Sequence, residues 1–358
     1  MLLQTLLSVG VAVASGIQGL DNVDNLIVFG DSYTDYGRLG WFLDHHGEAP
    51  PTGTFIEPSN KTASGGHSWP YFAAQDLNAT PFNYAVSGAT CTNELIERQL
   101  DSIGAPFPSV AEYEVPAFLA DTMWTNQSTG TNTLYEDKEG KPTRLAENSV
   151  YALWIGTNDL GVGAFLTDSQ RRTNATVARD FTDCVWGVFD ALYGAGGRHF
   201  VLFNLAPLER SPLYGSPREG GAALSHYWQS KADGNSTAVE HRMREATQAV
   251  NTVFEYGAPF HLLVKRRWPD ASFTLFDVHA LLADLMDDPK PYFDEPADAK
   301  GFYYQCAGAS DSDCKPSKFP MSSFVWYDEL HPSERTDKII SDEFVKLVQG
   351  TSKYGTYY

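Results

Sequence analysis

Apolar residues are distributed along this chain in two alternating patterns, short runs of strand length and longer stretches with helical spacing. The short runs cover residues 25–29, 81–86, 149–155, 199–205 and 272–277. Over 176–193, apolar side chains instead recur every three or four residues, and Gly194, Gly196 and Gly197 follow directly. This spacing predicts an amphipathic helix that ends at the glycines.

Two further stretches have the same helical character. One covers residues 237–256 with Ser236 or Thr237 as its predicted N-cap, and the last begins after Pro332 with Ser333 as N-cap and continues to Leu347. Strands that alternate with helices predict an α/β fold in which a parallel sheet carries helices on both faces. Residues 206–235 and 288–325 are rich in Pro, Gly and aromatic residues without a periodic core, so we expect long loops within a single domain.

The composition suits a folded protein with a substantial core. The chain has 358 residues, of which 42% are hydrophobic, a length that fits one large α/β domain. Its formal net charge of −19 disfavours nucleic acids and anionic membrane surfaces as partners, because both require basic patches. We expect a monomer that binds neither.

The first residues have the character of an export signal. Residues 2–15 form an uncharged apolar run that is too short to span a bilayer, and Ala-Val-Ala at 12–14 is a suitable cleavage site. A signal peptide at 1–16 is therefore expected, followed by one domain over 17–358, with a buried N-terminal element as the alternative. Five Asn-x-Ser/Thr sites favour a secreted, extracellular glycoprotein: Asn60, Asn78, Asn126, Asn174 and Asn235.

Four cysteines, an even number, agree with an oxidising compartment. Cys306 and Cys314 lie eight residues apart in a polar segment, so their pairing is the favoured bridge, and Cys91 with Cys184 follows by elimination. Four cysteines allow three connectivities, and the sequence alone does not choose among them.

The candidate chemistry begins where the first apolar run ends, in Gly-Asp-Ser at 30–32. A buried strand followed by a tight turn places Ser32 at the strand's carboxyl end, where open α/β sheets bind their ligands. Near the other end of the chain, Asp328 precedes His331 by three residues, close enough for the carboxylate to hold the imidazole. A serine hydroxyl needs a base that is itself oriented, so these three residues predict a serine hydrolase. Gly-Asp-Ser also forms ordinary turns, and Asp328–His331 is also natural before a helix.

Two more strand ends carry groups that can stabilise an oxyanion. Gly88 follows the second apolar run, and Asn158 follows the third in Gly-Thr-Asn-Asp at 156–159. The backbone N–H groups of Ser32 and Gly88 and the side-chain amide of Asn158 would supply three donors. Each residue alone fits a turn, but their joint occurrence favours catalysis.

The order Ser, Gly, Asn, Asp, His resembles the SGNH (GDSL-type) hydrolase superfamily, over residues 25 to about 347. Tyr33 stands where the superfamily name implies Leu. The stretches 29–35, 84–89 and 154–160 resemble fungal secreted acetylesterases of carbohydrate esterase family 16. The resemblance implies a flavodoxin-like three-layer α/β/α fold and ester hydrolysis without a metal or other cofactor.

We expect release of short acyl groups, chiefly acetate, from small-molecule or oligosaccharide esters. The alternatives are a lipid or phospholipid acylhydrolase and an inactive carbohydrate-binding protein of the same fold. Neither Asp277–His279 nor Asp311–Asp313 has metal-ligand spacing, and Asp35 and Arg38 are candidates for capping the first helix or shaping the site. Core packing is the favoured role of the aromatic residues, although some could face a sugar ring: Tyr214, Tyr227, Trp228, Trp326 and Tyr327.

Overall fold

The computed structural model describes residues 17, 20, 22–167, 170–171, 175–306 and 314–358. The expected signal peptide at 1–16, the sequon Asn174 and the Asp311–Asp313 pair lie outside the described residues. Within them, the central feature is a six-stranded sheet formed by β1 (Asn25–Gly30), β2 (Thr80–Asn83), β5 (Ser149–Trp154), β6 (His199–Phe203), β7 (Ser272–Phe276) and β12 (Gly355–Tyr357).

The order of the strands is β2-β1-β5-β6-β7-β12, and all neighbours are parallel except the antiparallel edge strand β12. The five parallel strands thus run second, first, third, fourth and fifth along the chain. This is the flavodoxin-like order, whose direction of winding reverses between β1 and β5. The predicted α/β fold is therefore confirmed, and a crevice forms above the carboxyl ends of these central strands.

Helices cover both faces of the sheet. They are α1 (Arg38–Asp44), α2 (Trp69–Leu77), α3 (Val115–Met123), α4 (Thr157–Leu160), α5 (Thr182–Gly194), α6 (Ser236–Pro259), α7 (Val278–Asp287) and α8 (Glu334–Val348). On one face, Trp69 of α2 packs against Phe344 of α8 and Phe203 of β6, with ring centroids 4.9 and 4.8 Å away. On the other face, Phe189 of α5 packs against Phe273 of β7 at 4.9 Å. These aromatic layers form the core.

All five predicted strands are present, although β2 ends at Asn83 rather than at residue 86. The three predicted helices also occur, as α5, α6 and α8, and Ser333 caps α8 by accepting a hydrogen bond from the Thr336 N–H. The predicted cap of α6, Ser236 or Thr237, is wrong, because the preceding residue Asn235 accepts from the Ala238 N–H.

Two long segments, 206–235 and 288–325, connect elements of the core. In the 206–235 segment, the Leu213 N–H donates to the Glu329 carbonyl over 2.7 Å, so this segment rests on the chain around residue 329. The 288–325 segment contains the short strands β8 (Asp298–Phe302), β9 (Tyr304–Cys306), β10 (Cys314–Pro316) and most of β11 (Phe324–Trp326). A separate small hairpin, β3 (Gln99–Leu100) with β4 (Ala105–Pro106), follows β2.

Two disulfides join the four cysteines. Cys91, in the loop after β2, is bonded to Cys184 of α5, and Cys306 is bonded to Cys314 across the β9–β10 hairpin. The first bridge ties a loop at the carboxyl edge of the sheet to a helix on its face. The second closes a local turn.

Candidate active site

Ser32 lies directly beyond the end of β1, at the bottom of the crevice. The strand ends in Gly30, whose φ is +143°, and a Cβ there would lie 2.1 Å from the Trp154 carbonyl oxygen of β5. Only glycine permits this approach of the two strands. The chain then turns through Asp31, whose side chain accepts a hydrogen bond from the Tyr33 N–H at 3.1 Å. The turn brings Ser32 to the cavity floor, where the residue is 6% exposed.

Ser32, His331 and Asp328 form a continuous hydrogen-bonded chain. The Ser32 Oγ lies 2.8 Å from the Nε2 atom of His331, although the two residues are 299 positions apart in sequence. The Nδ1 atom of the same ring lies 2.9 and 3.0 Å from the two carboxylate oxygens of Asp328. With Nδ1 donating to the carboxylate, Nε2 is left as the acceptor for the serine hydroxyl.

Asp328 is fully buried, and its carboxylate receives several donors. Burial raises its pKa, but the charge of His331 and the hydrogen bonds from His331 and Leu330 outweigh burial and leave the pKa below its ordinary value. The backbone N–H groups of Leu330 and His331 donate to the Asp328 Oδ1 over 2.8 and 2.7 Å. The carboxylate is therefore ionised near neutral pH and holds a fixed position beside the imidazole.

Tyr227 is a further contact of this carboxylate, and sequence reasoning did not find it. Its hydroxyl donates to the Asp328 Oδ2 over 2.8 Å and lies 3.4 Å from the His331 Nδ1. Tyr227 comes from the 206–235 segment, 101 residues before Asp328. From the sequence, Tyr227 was expected to pack in the core or to face a sugar ring, because nothing local indicates which hydroxyl will meet the aspartate.

The three residues expected to supply oxyanion donors line one cavity. Gly88 and Asn158 line the same cavity as Ser32. Among the residues that the structure describes, the backbone N–H groups of Ser32 and Gly88 donate to no protein atom. The Asn158 Nδ2 donates to the Ala89 carbonyl over 2.9 Å, which leaves its second hydrogen available. Gly88 has a φ of +91°, and a Cβ there would lie 2.3 Å from the Phe107 ring.

The cavity above Ser32 has a volume of about 840 Å³. This is far larger than an acetyl group, so the cavity can also hold part of the alcohol moiety of an ester. Its walls combine polar groups near Ser32 with a set of apolar and aromatic side chains: Leu39, Trp41, Leu43, Phe55, Ile56 and Val162. Among the aromatic residues singled out from the sequence, Tyr214 and Tyr227 line this cavity, whereas Trp326 is fully buried in the core.

Asp35 and Arg38 organise the loops around the cavity. The Asp35 carboxylate accepts backbone N–H bonds at the start of α1, including that of Arg38 at 2.7 Å, and also accepts from Ser87, the residue before Gly88. Arg38 is buried and donates to the Asn83 carbonyl at the end of β2. Asp35 thus caps the first helix and fixes the loop that carries Gly88.

Two buried carboxyl groups, Asp31 and Asp159, adjoin Ser32 and Asn158 in the chain. Burial raises the pKa of Asp31 to about 6 and the pKa of Asp159 to about 7. Each has one carboxylate oxygen without a hydrogen-bond partner in the described structure. The Asp159 Oδ1 accepts from the Cys91 N–H at 2.9 Å, so this acid fixes the loop beyond Gly88.

One group of potential metal ligands occurs among the described residues. Ligand atoms of His226, Cys306 and Glu329 lie within 4.8 Å of one another. The sulfur of Cys306 is bonded to Cys314, so it has no thiolate to offer and only two ligands remain. Asp277, which the sequence did not favour as a metal ligand, is the N-cap of α7 and accepts from the Ala280 N–H.

Comparisons with known proteins identify the family. Residues 26–344 match the model of the family described as GDSL-like Lipase/Acylhydrolase. The chain belongs to this family. It is 41% identical over 339 residues to an acetylesterase from Hypocrea jecorina, covering 94% of this chain and 92% of that protein. The protein is therefore a carboxylic ester hydrolase, as the sequence analysis predicted.

Two more distant similarities were also found. An acetylesterase from Thermothelomyces thermophilus is 23% identical over 356 residues, which cover 96% of this esterase and 94% of the relative. Among solved structures, a GDSL-like lipase from Parabacteroides merdae aligns over 93% of this esterase and 98% of its own chain, with 13% identity and a TM-score of 0.42.

Proposed function

We propose that this protein is a secreted serine esterase that removes acetyl groups from partially acetylated carbohydrates. The observation that carries the catalytic part is the 2.8 Å contact between the Ser32 Oγ and the His331 Nε2, with Asp328 held against the other ring nitrogen. Nucleophile, base and orienting acid are the three parts that serine hydrolysis requires.

The proposed reaction proceeds in two steps. His331 takes the Ser32 hydroxyl proton as Oγ attacks the ester carbonyl, and the N–H groups of Ser32, Gly88 and Asn158 stabilise the oxyanion. His331 then protonates the leaving alcohol, and an acyl-serine remains. Water, activated by His331, hydrolyses this intermediate through a second oxyanion and restores Ser32.

The proposed acyl group and the proposed alcohol part of the substrate are supported by different observations. The identity with the Hypocrea jecorina acetylesterase supports a short acyl group. Trp41 and Tyr227 line a cavity large enough for a sugar ring beside the ester, and aromatic side chains offer such rings a flat apolar surface. These points favour acetylated oligosaccharides as substrates and require no metal or other cofactor.

Export and organisation complete the proposal. We assign residues 1–16 as a signal peptide and 17–358 as one catalytic domain that acts as a monomer. Two disulfides suit an oxidising compartment, and the sequons Asn60, Asn78 and Asn235 are exposed. No helix among the described residues is long and apolar enough to cross a membrane. With a net charge of −19, neither nucleic acid nor an anionic membrane is a proposed partner.

The apolar wall of the cavity favours one second candidate, a lipid or phospholipid acylhydrolase. Leu39, Leu43 and Ile56 line the same space as Ser32, and a longer acyl chain could lie against them. The two candidates share the catalytic residues and differ in what fills the cavity.

Two experiments test these proposals separately. The first compares wild type with Ser32→Ala on p-nitrophenyl acetate and with a fluorophosphonate probe. We expect loss of nearly all activity, about a millionfold if the residues act as a unit, and loss of labelling. A folded Ser32→Ala protein with comparable activity would exclude the mechanism, and folded wild type without labelling would favour an inactive binding protein.

The second experiment measures rates on p-nitrophenyl esters with two to sixteen carbons, alongside acetate release from acetylated xylo-oligosaccharides. We expect the highest rate at two carbons and acetate release from the oligosaccharides. A maximum at long chains without acetate release would replace the carbohydrate proposal by the lipid one, while leaving the catalytic residues unaffected.

A further inference from the structure

Arg98 contacts two of the three expected oxyanion donors. It lies just before the β3–β4 hairpin and lines the cavity beside Asn158. A single guanidinium nitrogen, Nη1, donates to the Gly88 carbonyl over 2.7 Å and to the Asn158 Oδ1 over 2.6 Å. Because this nitrogen carries two hydrogens, both bonds can form at once.

The two ends of the Asn158 amide face opposite partners. Its Oδ1 accepts from Arg98, and its Nδ2 donates to the Ala89 carbonyl. A flipped amide would place an NH₂ group against the guanidinium and an oxygen against the Ala89 carbonyl, and both contacts would be repulsive. The neighbours therefore permit one orientation. In that orientation the amide offers N–H, and not C=O, to a developing oxyanion.

We propose that Arg98 is the positioning residue of the oxyanion hole, which sets the orientation of the Asn158 amide and the place of Gly88. This inference rests on the proposed serine mechanism. A hydrogen bond from a charged donor also draws electron density toward Oδ1, which makes the Nδ2 hydrogens better donors. Arg98 thus acts on the transition state through Asn158 without contacting the reacting atoms.

Neighbouring groups hold the guanidinium in place. It lies 5.0 Å from the centroid of the Phe107 ring, the same ring that a Cβ on Gly88 would strike. The side chain is half-buried, and the buried acids Asp31 and Asp159 attract it. A planar, permanently charged guanidinium matches this set of contacts in a way that an ammonium group does not.

The test compares Arg98→Met and Arg98→Lys with wild type on p-nitrophenyl acetate. Arg98→Met keeps an unbranched apolar chain in place of the aliphatic part of the arginine and removes the donors and the charge. We expect kcat to fall about 10- to 100-fold with little change in KM, somewhat less than the roughly 10²–10³-fold cost of losing an oxyanion donor outright. Arg98→Lys keeps a charged donor, so it should recover part of this loss.

A double-mutant cycle with Asn158→Ala separates positioning from general structural damage. If Arg98 acts through Asn158, Arg98→Met should reduce kcat far less in the Asn158→Ala background than in wild type. Additive losses would overturn the inference. So would an increase in KM at constant kcat, because Arg98 would then bind the substrate itself.

Arg144→Met is the matched control. Arg144 also lies over aromatic rings and donates to the Tyr151 hydroxyl and the Ala195 carbonyl, but it does so away from the cavity. Its loss should lower the melting temperature without changing kcat. If Arg144→Met reduces kcat as strongly as Arg98→Met at equal stability, the inference fails. The Ser32→Ala experiment tests the serine mechanism independently. An inactive Ser32→Ala together with a fully active Arg98→Met would exclude the role of Arg98 and leave the serine mechanism intact.

Discussion

The hydroxyl of Tyr33 donates a hydrogen bond to the backbone carbonyl of Leu330 over 2.8 Å. The two residues adjoin Ser32 and His331, so this bond ties the loop that carries Ser32 to the loop that carries His331. Tyr33 occupies the position at which the name of the superfamily implies leucine. The hydroxyl that leucine lacks is the group that makes this connection.

Tyr33→Phe should therefore reduce both stability and catalysis. The change leaves the buried Leu330 carbonyl without this donor, which costs about 1–3 kcal/mol in the free energy of unfolding. We also expect a lower kcat, because the Ser32–His331 contact loses one of its supports. Urea unfolding and p-nitrophenyl acetate kinetics measure the two effects.

Tyr36→Phe is the control for that prediction. Tyr36 is equally buried, and its hydroxyl donates to the Pro81 carbonyl over 3.0 Å. The Tyr36→Phe variant should lose a comparable amount of stability and keep the wild-type kcat. Equal losses of kcat in the two variants would show that the Tyr33 bond has no special connection with the active site.

Tyr227→Phe should change how activity depends on pH. The variant removes a donor from the Asp328 carboxylate, so more of that negative charge is left to stabilise the imidazolium of His331. We expect the acid limb of the kcat/KM profile to move to higher pH, with a modest fall in kcat. Tyr193→Phe, which removes an exposed hydroxyl bond to Pro269, should leave the profile unchanged. An acid limb that stays in place would contradict the assignment.

Asp159→Asn should make stability less sensitive to pH. Burial raises the pKa of Asp159 to about 7, whereas an aspartate in the unfolded chain has a pKa of about 4. Between these values the folded protein binds more protons than the unfolded chain, so this group's contribution makes stability fall as pH rises from about 4 to about 7.

An asparagine at 159 retains an acceptor for the Cys91 N–H and does not titrate. The difference in unfolding free energy between Asp159→Asn and wild type should therefore shift in favour of the variant over this pH range. Asp288→Asn, at an exposed site, is the control. The difference in unfolding free energy between this variant and wild type should stay constant over the same pH range. A constant difference between Asp159→Asn and wild type would show that Asp159 has the same pKa in the folded protein as in the unfolded chain.

The two disulfides should contribute unequally to stability. The Cys91–Cys184 bridge spans 93 residues and the Cys306–Cys314 bridge spans 8. Loop-closure entropy predicts that removing the first bridge lowers the free energy of unfolding by about 4–5 kcal/mol and that removing the second lowers it by about 2.5 kcal/mol. Thermal unfolding of the paired Cys→Ser variants measures both. The opposite ranking would show that strain or residual structure outweighs chain entropy here.

Local sequence patterns predicted the five central strands and three of the helices. Each predicted strand is a short apolar run, and each predicted helix is a long stretch with helical apolar spacing. α2 was missed because its stretch, Trp69–Leu77, has no extended apolar repeat, although Ser68 followed by Trp69 and Pro70 is a typical helix start. The antiparallel β12 consists of three residues, and it is a strand only because β7 lies beside it.

The candidate site was predictable to the extent that its residues follow strands or sit close together in sequence. Ser32, Gly88 and Asn158 each follow a parallel strand, and such strands end at one edge of the sheet. The contacts of Tyr227 and Arg98 depend on where long loops fold, across separations of 101 and 60 residues. No local pattern contains that information.

The separation of 299 residues between Ser32 and His331 has a consequence for biosynthesis. In the proposed mechanism the nucleophile is synthesised 299 residues before its base. A partly synthesised chain therefore carries the serine without the group that activates it. Hydrolysis can begin only after the segment from β11 to α8 has docked against the sheet, so enzymatic turnover reports on completion of the whole fold.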